Sequence, residues 1–381
     1  MKRPAIHISE VKAFLRCRLS WYWSAPAPRG FNLEPIAERP ALHFGRLIHE
    51  ALQVGYDSVT PYADAFRDLA AAAHTSLPGS SMYEDELQKQ TELGARMLAG
   101  YQDWATYEDK IHNTRFLSLE TKWDGVKIGN IKFAGRFDAV IERDDGLWVL
   151  DFKTTSQTAT DWVAQDIQAT AYVHAARQLI DPKVRGLIFR FLLKKAPQDY
   201  NKLILKKGGV TQRANLANIT THKDYTFALA VATLSDLASS FATFGALLPS
   251  SWTLDDCAAI LRGDLADQPW YEQFHESFTL ARRMYWDQLQ TLRGASHFFW
   301  DVPVYRTDEQ VARCIKYVLH PASKEMVSKR KGRWIGPTGL GAAFAVCRNC
   351  SFSEPCELVM TGADHRSILQ SQYRKRDRGE Y

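Results

Sequence analysis

The sequence predicts an α/β protein in which helices flank a mixed, mostly antiparallel central sheet, with a helical insertion in the C-terminal half. Three observations carry that expectation. Helical periodicity fills residues 42–57, 62–77 and 82–109; short β-rich runs follow between 116 and 154; and a helix over about 160–180 leads into one more strand. Helices, then strands, then helix and strand again bury their apolar faces most readily as layers on one sheet. With 381 residues and 45% hydrophobic content the chain can build a sizeable core, and 24% charged residues is ordinary for a soluble globular protein.

Taken in order, residues 5–24 read as an extended start into a helix, with Ser9 as N-cap and Glu10 just behind it. A Pro/Gly-rich loop runs from Ala25 to Pro40, and the Pro78-Gly79-Ser80-Ser81 break separates the helices at 62–77 and 82–109. Phe116–Trp123, Val126–Ala134, Arg136–Arg143 and Leu147–Thr154 are predicted strands, with hairpin turns at Asp124-Gly125 and Asp144-Asp145-Gly146. Gly186–Leu193 is the strand after the 160–180 helix. Lys206–Asn218 reads as a surface loop, 222–247 and 268–292 as helices, and Trp300–Val304 and Val311–Leu319 as further strands. The chain divides into a core at 1–195, a mainly helical insertion at 196–335 and a C-terminal segment at 336–381.

Lys plus Arg exceeds Asp plus Glu by 48 − 43 = 5, which permits a polyanionic partner without demanding one. The opening MKRPAIHISEVKAF lacks the apolar stretch of a signal peptide, and the most apolar later stretch, Ala228–Leu248, is broken by Asp236. A cytoplasmic protein with no membrane contact is expected, and there six cysteines serve as ligands or core thiols rather than disulfides. No G-x-x-x-x-G-K-[ST] phosphate loop occurs, so nothing suggests a built-in ATP motor.

The sharpest local signal is Gly135-Arg-Phe-Asp138 followed by Leu150-Asp151-Phe152-Lys153. Strand alternation puts Asp151 and Lys153 on one face, roughly 7 Å apart along the strand, and the tight turn at 144–146 brings Asp138 to within a residue of Asp151. Two carboxylates beside an ammonium suit Mg²⁺ or Mn²⁺, which take oxygen ligands and keep waters. Such a metal activates water at a phosphodiester while the lysine steadies the pentavalent phosphate. Alone, D-x-K fits equally an exposed charged hairpin with a cross-strand ion pair. Gly45-x-x-x-His49 and Gln168-x-x-x-Tyr172 each place two residues one turn apart on a helix. Singly, His49 reads as a core histidine and Gln168 with Tyr172 as an ordinary polar pair.

Together and in this order, Gly45-x-x-x-His49, Gly135-x-x-Asp138, Asp151-x-Lys153 and Gln168-x-x-x-Tyr172 resemble the RecB-type branch of the PD-(D/E)XK nucleases. The resemblance covers roughly residues 40–195 and implies a restriction-endonuclease-like core. It implies that His49, Asp138 and Asp151, with the Phe152 carbonyl, bind the metal, and that Lys153 is the catalytic lysine. Gln168 and Tyr172 would hold the strand or the site, and Glu120 would stand in the metal's outer shell.

Cys347-Arg-Asn-Cys350-x₅-Cys356 is a strong ligand signal one thiolate short of four. Cys257 and Cys314 look like buried thiols, and spacing alone does not separate zinc from an iron–sulfur cluster. The segment Ile8-Ser9 through Phe14-Leu15-x-Cys17 to Trp21-Tyr22 resembles the opening motif of the iron–sulfur members of this group: AddB-type subunits, CRISPR-associated adaptation nucleases and exonuclease V. That resemblance implies that Cys17, Cys347, Cys350 and Cys356 share a 4Fe–4S cluster, with Zn²⁺ the lesser alternative. Arg18 stands where many members have proline, and the common motifs do not cover 194–335. A cluster so placed closes a loop of about 330 residues and constrains the unfolded chain.

Lys324, Lys329, Arg330, Lys331, Arg333 and Trp334 combine dense positive charge with an aromatic ring, the chemistry of a groove that tracks a nucleic-acid strand; the same charges also suit a solvated face. The resemblance implies a Mg²⁺- or Mn²⁺-dependent DNA nuclease, an exonuclease rather than an endonuclease. It would act on single-stranded DNA or duplex ends in recombination, repair or phage replication, with a helicase or recombination partner supplied by another chain. The alternatives are a non-cleaving DNA-binding or scaffold protein and an RNA nuclease.

Overall fold

The structure, a computed structural model, describes residues 5–36, 40–58, 60–74, 81–195, 266–269, 271–272, 298–328, 347 and 350–376. The predicted loop 206–218, the helix 222–247 and most of 268–292 lie outside these residues; of the insertion expected at 196–335, the described stretch 298–328 is helical after a strand, Phe299–Tyr305, that joins the central sheet.

The chain opens with a short strand β1 (Ile6–His7) and helices α1 (Ile8–Arg16) and α2 (Arg18–Ser24). The single helix predicted over 5–24 is therefore two. Cys17 interrupts it with extended backbone, φ −158° and ψ 116°, which turns the chain between the helices. The N-cap is His7 rather than Ser9, because His7 is still paired as strand with Ala134 and the helix starts directly after it. Glu10 is held by a buried ion pair: Arg29 donates to it at 2.7 and 2.8 Å, and Trp21 Nε1 lies 3.3 Å away.

After β2 (Leu33–Pro35) come α3 (Pro40–Asp57), α4 (Tyr62–His74) and α5 (Ser81–Ile111). Then β3 (Arg115–Ile128), β4 (Ile131–Arg143) and β5 (Gly146–Thr155) form an antiparallel meander. Asp124-Gly125, predicted as a hairpin turn, is a bulge inside β3: the register shifts there and Gly125 takes φ +87°. The chain reverses instead after Ile128, which pairs with Ile131. A 3₁₀ turn (Asp161–Gln165), α6 (Ile167–Leu179) and β6 (Gly186–Leu193) follow. Next come β7 (Phe299–Tyr305), α7 (Asp308–Cys314), a π-helical turn (Ile315–Leu319) and α8 (His320–Ser328). The C-terminal elements are α9 (Ser353–Thr361), α10 (Arg366–Gln372) and β8 (Tyr373–Lys375). Val311–Leu319, expected as a strand, is helical, because Thr307 and Gln310 form a reciprocal capping box that starts α7.

The sheet order is β1-β4-β5-β6-β7, with β3 on the remaining edge of β4. β1 runs parallel to β4 and β6 parallel to β5, and the other pairings, β6 with β7 among them, are antiparallel. This is the mixed sheet between helices that the sequence predicts. The apolar core of one face gathers α1, α2 and α6, and that of the other gathers α3, α4 and α5. On the second side Arg190 is wholly buried and is neutralised by Asp301 (2.8 Å) and Asp109 (2.9 Å). No helix among the described residues is long and apolar enough to cross a membrane.

A separate two-stranded ribbon joins β2 to β8, pairing Leu33 with Lys375 and Pro35 with Tyr373. Above it Phe352 stacks on Tyr373 (4.9 Å) and packs against Trp23 (5.5 Å).

Candidate functional site

β4 offers one edge to two different strands. Phe133 and Ala134 pair with β1, while Ala139 to Arg143 pair with β5. Between them, at Gly135–Asp138, that edge is open, and the β4–β5 ladder stops at Ala139 and Leu150, one step short of Asp138 and Asp151. Asp138 bridges the opening: its Oδ2 accepts the Phe152 backbone N–H at 2.8 Å. The alternation read from the sequence thus delivers Asp138, Asp151 and Lys153 to a gap in the sheet.

Groups enter this gap from both helix layers. From α3, His49 Nδ1 lies 3.4 Å from Asp138 Oδ2, and its ring meets the Phe152 ring edge-on at 6.1 Å. Gly45, one turn earlier, lies against β5: an added Cβ would stand 3.4 Å from Thr154 Oγ1. From α6, Gln168 Nε2 donates to Asp151 Oδ1 at 2.8 Å, and its Oε1 accepts from Lys12 Nζ at 3.2 Å. Asp166 fixes this arrangement, capping α6 through the Gln168 N–H (2.7 Å) and pairing with Lys12 (2.8 Å). Tyr172 stands edge-on to Phe137 (5.5 Å) and Trp123 (6.2 Å). Trp123 in turn lies over Gly135, where a Cβ would fall 2.4 Å from its ring.

Glu120 is the residue whose part the sequence understated. It lies between Leu119 and Thr121, which pair with Ala139 and Phe137, and so stands across from Asp138. Its φ of +46° is left-handed, a strained conformation for glutamate and of the kind that clusters at functional sites. His49, Glu120 and Asp138 present ligand atoms all within 4.8 Å of one another. Asp151 lies beside this trio, ion-paired to Lys153, rather than within it.

The electrostatics follow from burial and crowding. Burial, the nearby Asp138 and the other acids push Glu120 up to about 7 against the pull of Arg136. Burial raises Asp151 to about 6, with Lys153 opposing and Asp138 adding. Burial lowers the Lys153 ammonium's pKa, but Asp151 and Asp138 outweigh it and the net shift is upward. Burial and the same two carboxylates raise the Tyr172 phenol, so it stays protonated.

These residues fit a divalent cation. Asp151 Oδ2 and Glu120 Oε2 are buried, and their bonding partners are ion pairs, Lys153 and Arg136 respectively. Carboxylates gathered with an imidazole, with ligand atoms within 4.8 Å of one another, are a donor set a hard cation takes.

The cysteines form a second assembly. Burial raises the Cys356 thiol to about 11, and Cys17, Cys350 and Cys347 add to it. Cys17 occupies the α1–α2 break, and Cys17, Cys350 and Cys356 pack on the same core. The Phe352 N–H donates to Cys350 Sγ at 3.4 Å. Cys314 stands apart, beside Thr170 and Arg306. Cys257 and the patch Lys329, Arg330, Lys331, Arg333 and Trp334 lie outside the described residues.

An α/β/α layering about a mixed sheet, with carboxylates and a lysine gathered at a split in it, has the architecture of a restriction-endonuclease-like fold. The chain belongs to the PD-(D/E)XK nuclease superfamily, which it matches over residues 6–357, including the stretch beyond 194 that the short motifs leave uncovered. No curated protein matches it.

Proposed function

We propose that the protein is a metal-dependent DNA nuclease of the RecB-type branch. It acts as an exonuclease on single-stranded DNA or DNA ends in recombination, repair or phage replication. The observation that supports this best is the sheet gap where Asp138, Asp151, Lys153 and His49 meet. His49, Asp138 and Asp151 would hold Mg²⁺ or Mn²⁺, joined by Glu120 and the Phe152 carbonyl. The bound ion supplies a Lewis acid and a water nucleophile at neutral pH. Lys153, held by Asp151, faces the charge that develops on the scissile phosphate. Gln168 fixes one Asp151 oxygen and Lys153 pairs with the other, while Tyr172, protonated, closes the side of the site toward α6.

Cys17, Cys347, Cys350 and Cys356 would hold a 4Fe–4S cluster, with zinc as the alternative occupant. Four thiols suit either. Its role is structural, tying α1–α2 to the C-terminal segment. The exonuclease preference and a helicase partner rest on the resemblance to the RecB-type branch.

Purified protein assayed with Mn²⁺ on end-labelled single-stranded DNA, duplex DNA and RNA tests the activity. Progressive shortening of DNA from an end supports the proposal. Cleavage of RNA alone, or of closed circles as fast as ends, overturns the substrate or the exonuclease reading. No cleavage of any substrate by folded, metal-loaded protein overturns catalysis.

A further inference from the structure

We infer that the groove between α1 and the 3₁₀ turn is a subsite for the unpaired end of a DNA strand, in which Trp162 stacks on a base and Arg16 meets a phosphate. The inference rests on the nuclease reading above. The groove has a volume of about 530 Å³ and is lined by Ser9, Lys12, Ala13 and Arg16 on one wall and Trp162 on the other. That size lies within the range of roughly 300–1,000 Å³ typical of ligand sites. Gln168 and Tyr172 also line it, and Gln168 touches Asp151, so the groove leads directly to the sheet gap.

Its two walls carry complementary chemistry. Trp162 is 47% exposed, yet its indole is braced from within by Phe189 (6.0 Å) and Phe191 (6.1 Å). Phe189 is wholly buried and also lies beneath Lys153 Nζ, 5.6 Å from its centroid. A single ring therefore separates the exposed indole from the proposed catalytic lysine. Opposite, Ser9, Lys12, Ala13 and Arg16 recur at i, i+3, i+4 and i+7 and form one face of α1. Lys12 is already neutralised by Asp166. Arg16 is exposed, with no ion-pair partner among the described residues. A rigid aromatic face with a free guanidinium across a groove fits a base and its phosphate. Stacking is open to any base but requires that it be unpaired.

The test measures binding rather than cleavage, using full-length protein in chelator and a short fluorescent oligothymidine followed by anisotropy. Trp162→Ala should weaken binding about tenfold or more, the effect of losing one stacked base, while Trp162→Phe retains most of it. Arg16→Ala, at an exposed helix position, should reduce the slope of log affinity against log salt by about 0.7. Affinity for a blunt duplex of equal length should be unchanged in Trp162→Ala. Wild-type affinity for the single strand in Trp162→Ala, or an equal loss for the duplex, overturns the subsite and leaves the nuclease reading standing. If Trp162→Ala fails to fold, an unchanged salt slope in Arg16→Ala overturns it as well. Wild-type protein that neither binds nor cuts single-stranded DNA sinks both.

Discussion

Gln168 and Asp151 are joined by a 2.8 Å hydrogen bond from carboxamide to carboxylate, so a helix on one face of the sheet holds an acid that belongs to its central strand. Replacing Gln168 by Leu should leave the fold intact and lower the cleavage rate about tenfold or more, because Asp151 loses its orientation. A hydrogen bond to a carboxylate contributes about 1.5–3 kcal/mol to stability, less than a folded domain's margin. A large fall in melting temperature without a change in rate would show that Gln168 serves packing alone.

Asp151 and Lys153 share an ion pair inside the sheet gap. Asp151→Asn and Lys153→Ala should each reduce cleavage by at least ~10²-fold while circular dichroism remains that of the wild type. Wild-type rates in either folded variant would remove these residues from the chemistry.

Glu120 gives a pH dependence whose sign is fixed. Its pKa rises to about 7, from an ordinary value of 4.5. Between those values the folded protein holds a proton that the unfolded chain has lost, so this group makes the metal-free protein less stable as pH rises from about 5 to 7. In chelator, Glu120→Gln should melt higher than wild type at pH 8 and should lose the part of the pH dependence due to Glu120. It should also need more Mn²⁺ for half-maximal cleavage, as should His49→Ala. Identical melting curves for Glu120→Gln and wild type from pH 5 to 8 would contradict the burial assigned to this acid.

The four cysteines predict colour. Anaerobically purified protein should be brown and contain iron with acid-labile sulfide. Changing Cys17, Cys347, Cys350 or Cys356 to Ser should bleach it, whereas changing Cys314, which stands beside Thr170 and Arg306, should not. Colourless protein with one zinc per chain would identify a zinc site instead.

Arg190 tests the opposite face. Arg190→Met leaves Asp109 without its partner and Asp301 with Arg143 alone, so unfolding free energy should fall by about 3–5 kcal/mol. Urea denaturation measures this directly, and an unchanged midpoint would show that the network contributes little.

How far the sequence could be read depended on whether a residue's position follows from a short repeat. Asp151 and Lys153 follow from strand alternation, and Gln168 and Tyr172 from one helical turn, so their shared surroundings were legible. Glu120 was legible only as an outer-shell residue on the neighbouring strand, because its close approach to Asp138 depends on a left-handed residue in an irregular β3. The break at Cys17 was hidden, since apolar helical spacing continues through it. The α7 start was missed although Thr307 and Gln310 spell a capping box; the β-branched run that follows suggested a strand instead. Trp162 belongs to no motif, and its place beside the gap comes only from tertiary packing on Phe189 and Phe191.

The ribbon between β2 and β8 also sets a timetable for synthesis. Asn32 Nδ2 donates to the Arg376 carbonyl, 344 positions away, and Trp23 packs on Phe352. At about 5–20 residues per second on the ribosome, Trp23 and its neighbours wait roughly 20–70 s for the partners that cover them. During that interval the emerging chain carries exposed aromatic surface, and the strands that build the sheet gap leave the exit tunnel well before the segment that shields those aromatics. Chaperone dependence of this protein should therefore concentrate in its first helices.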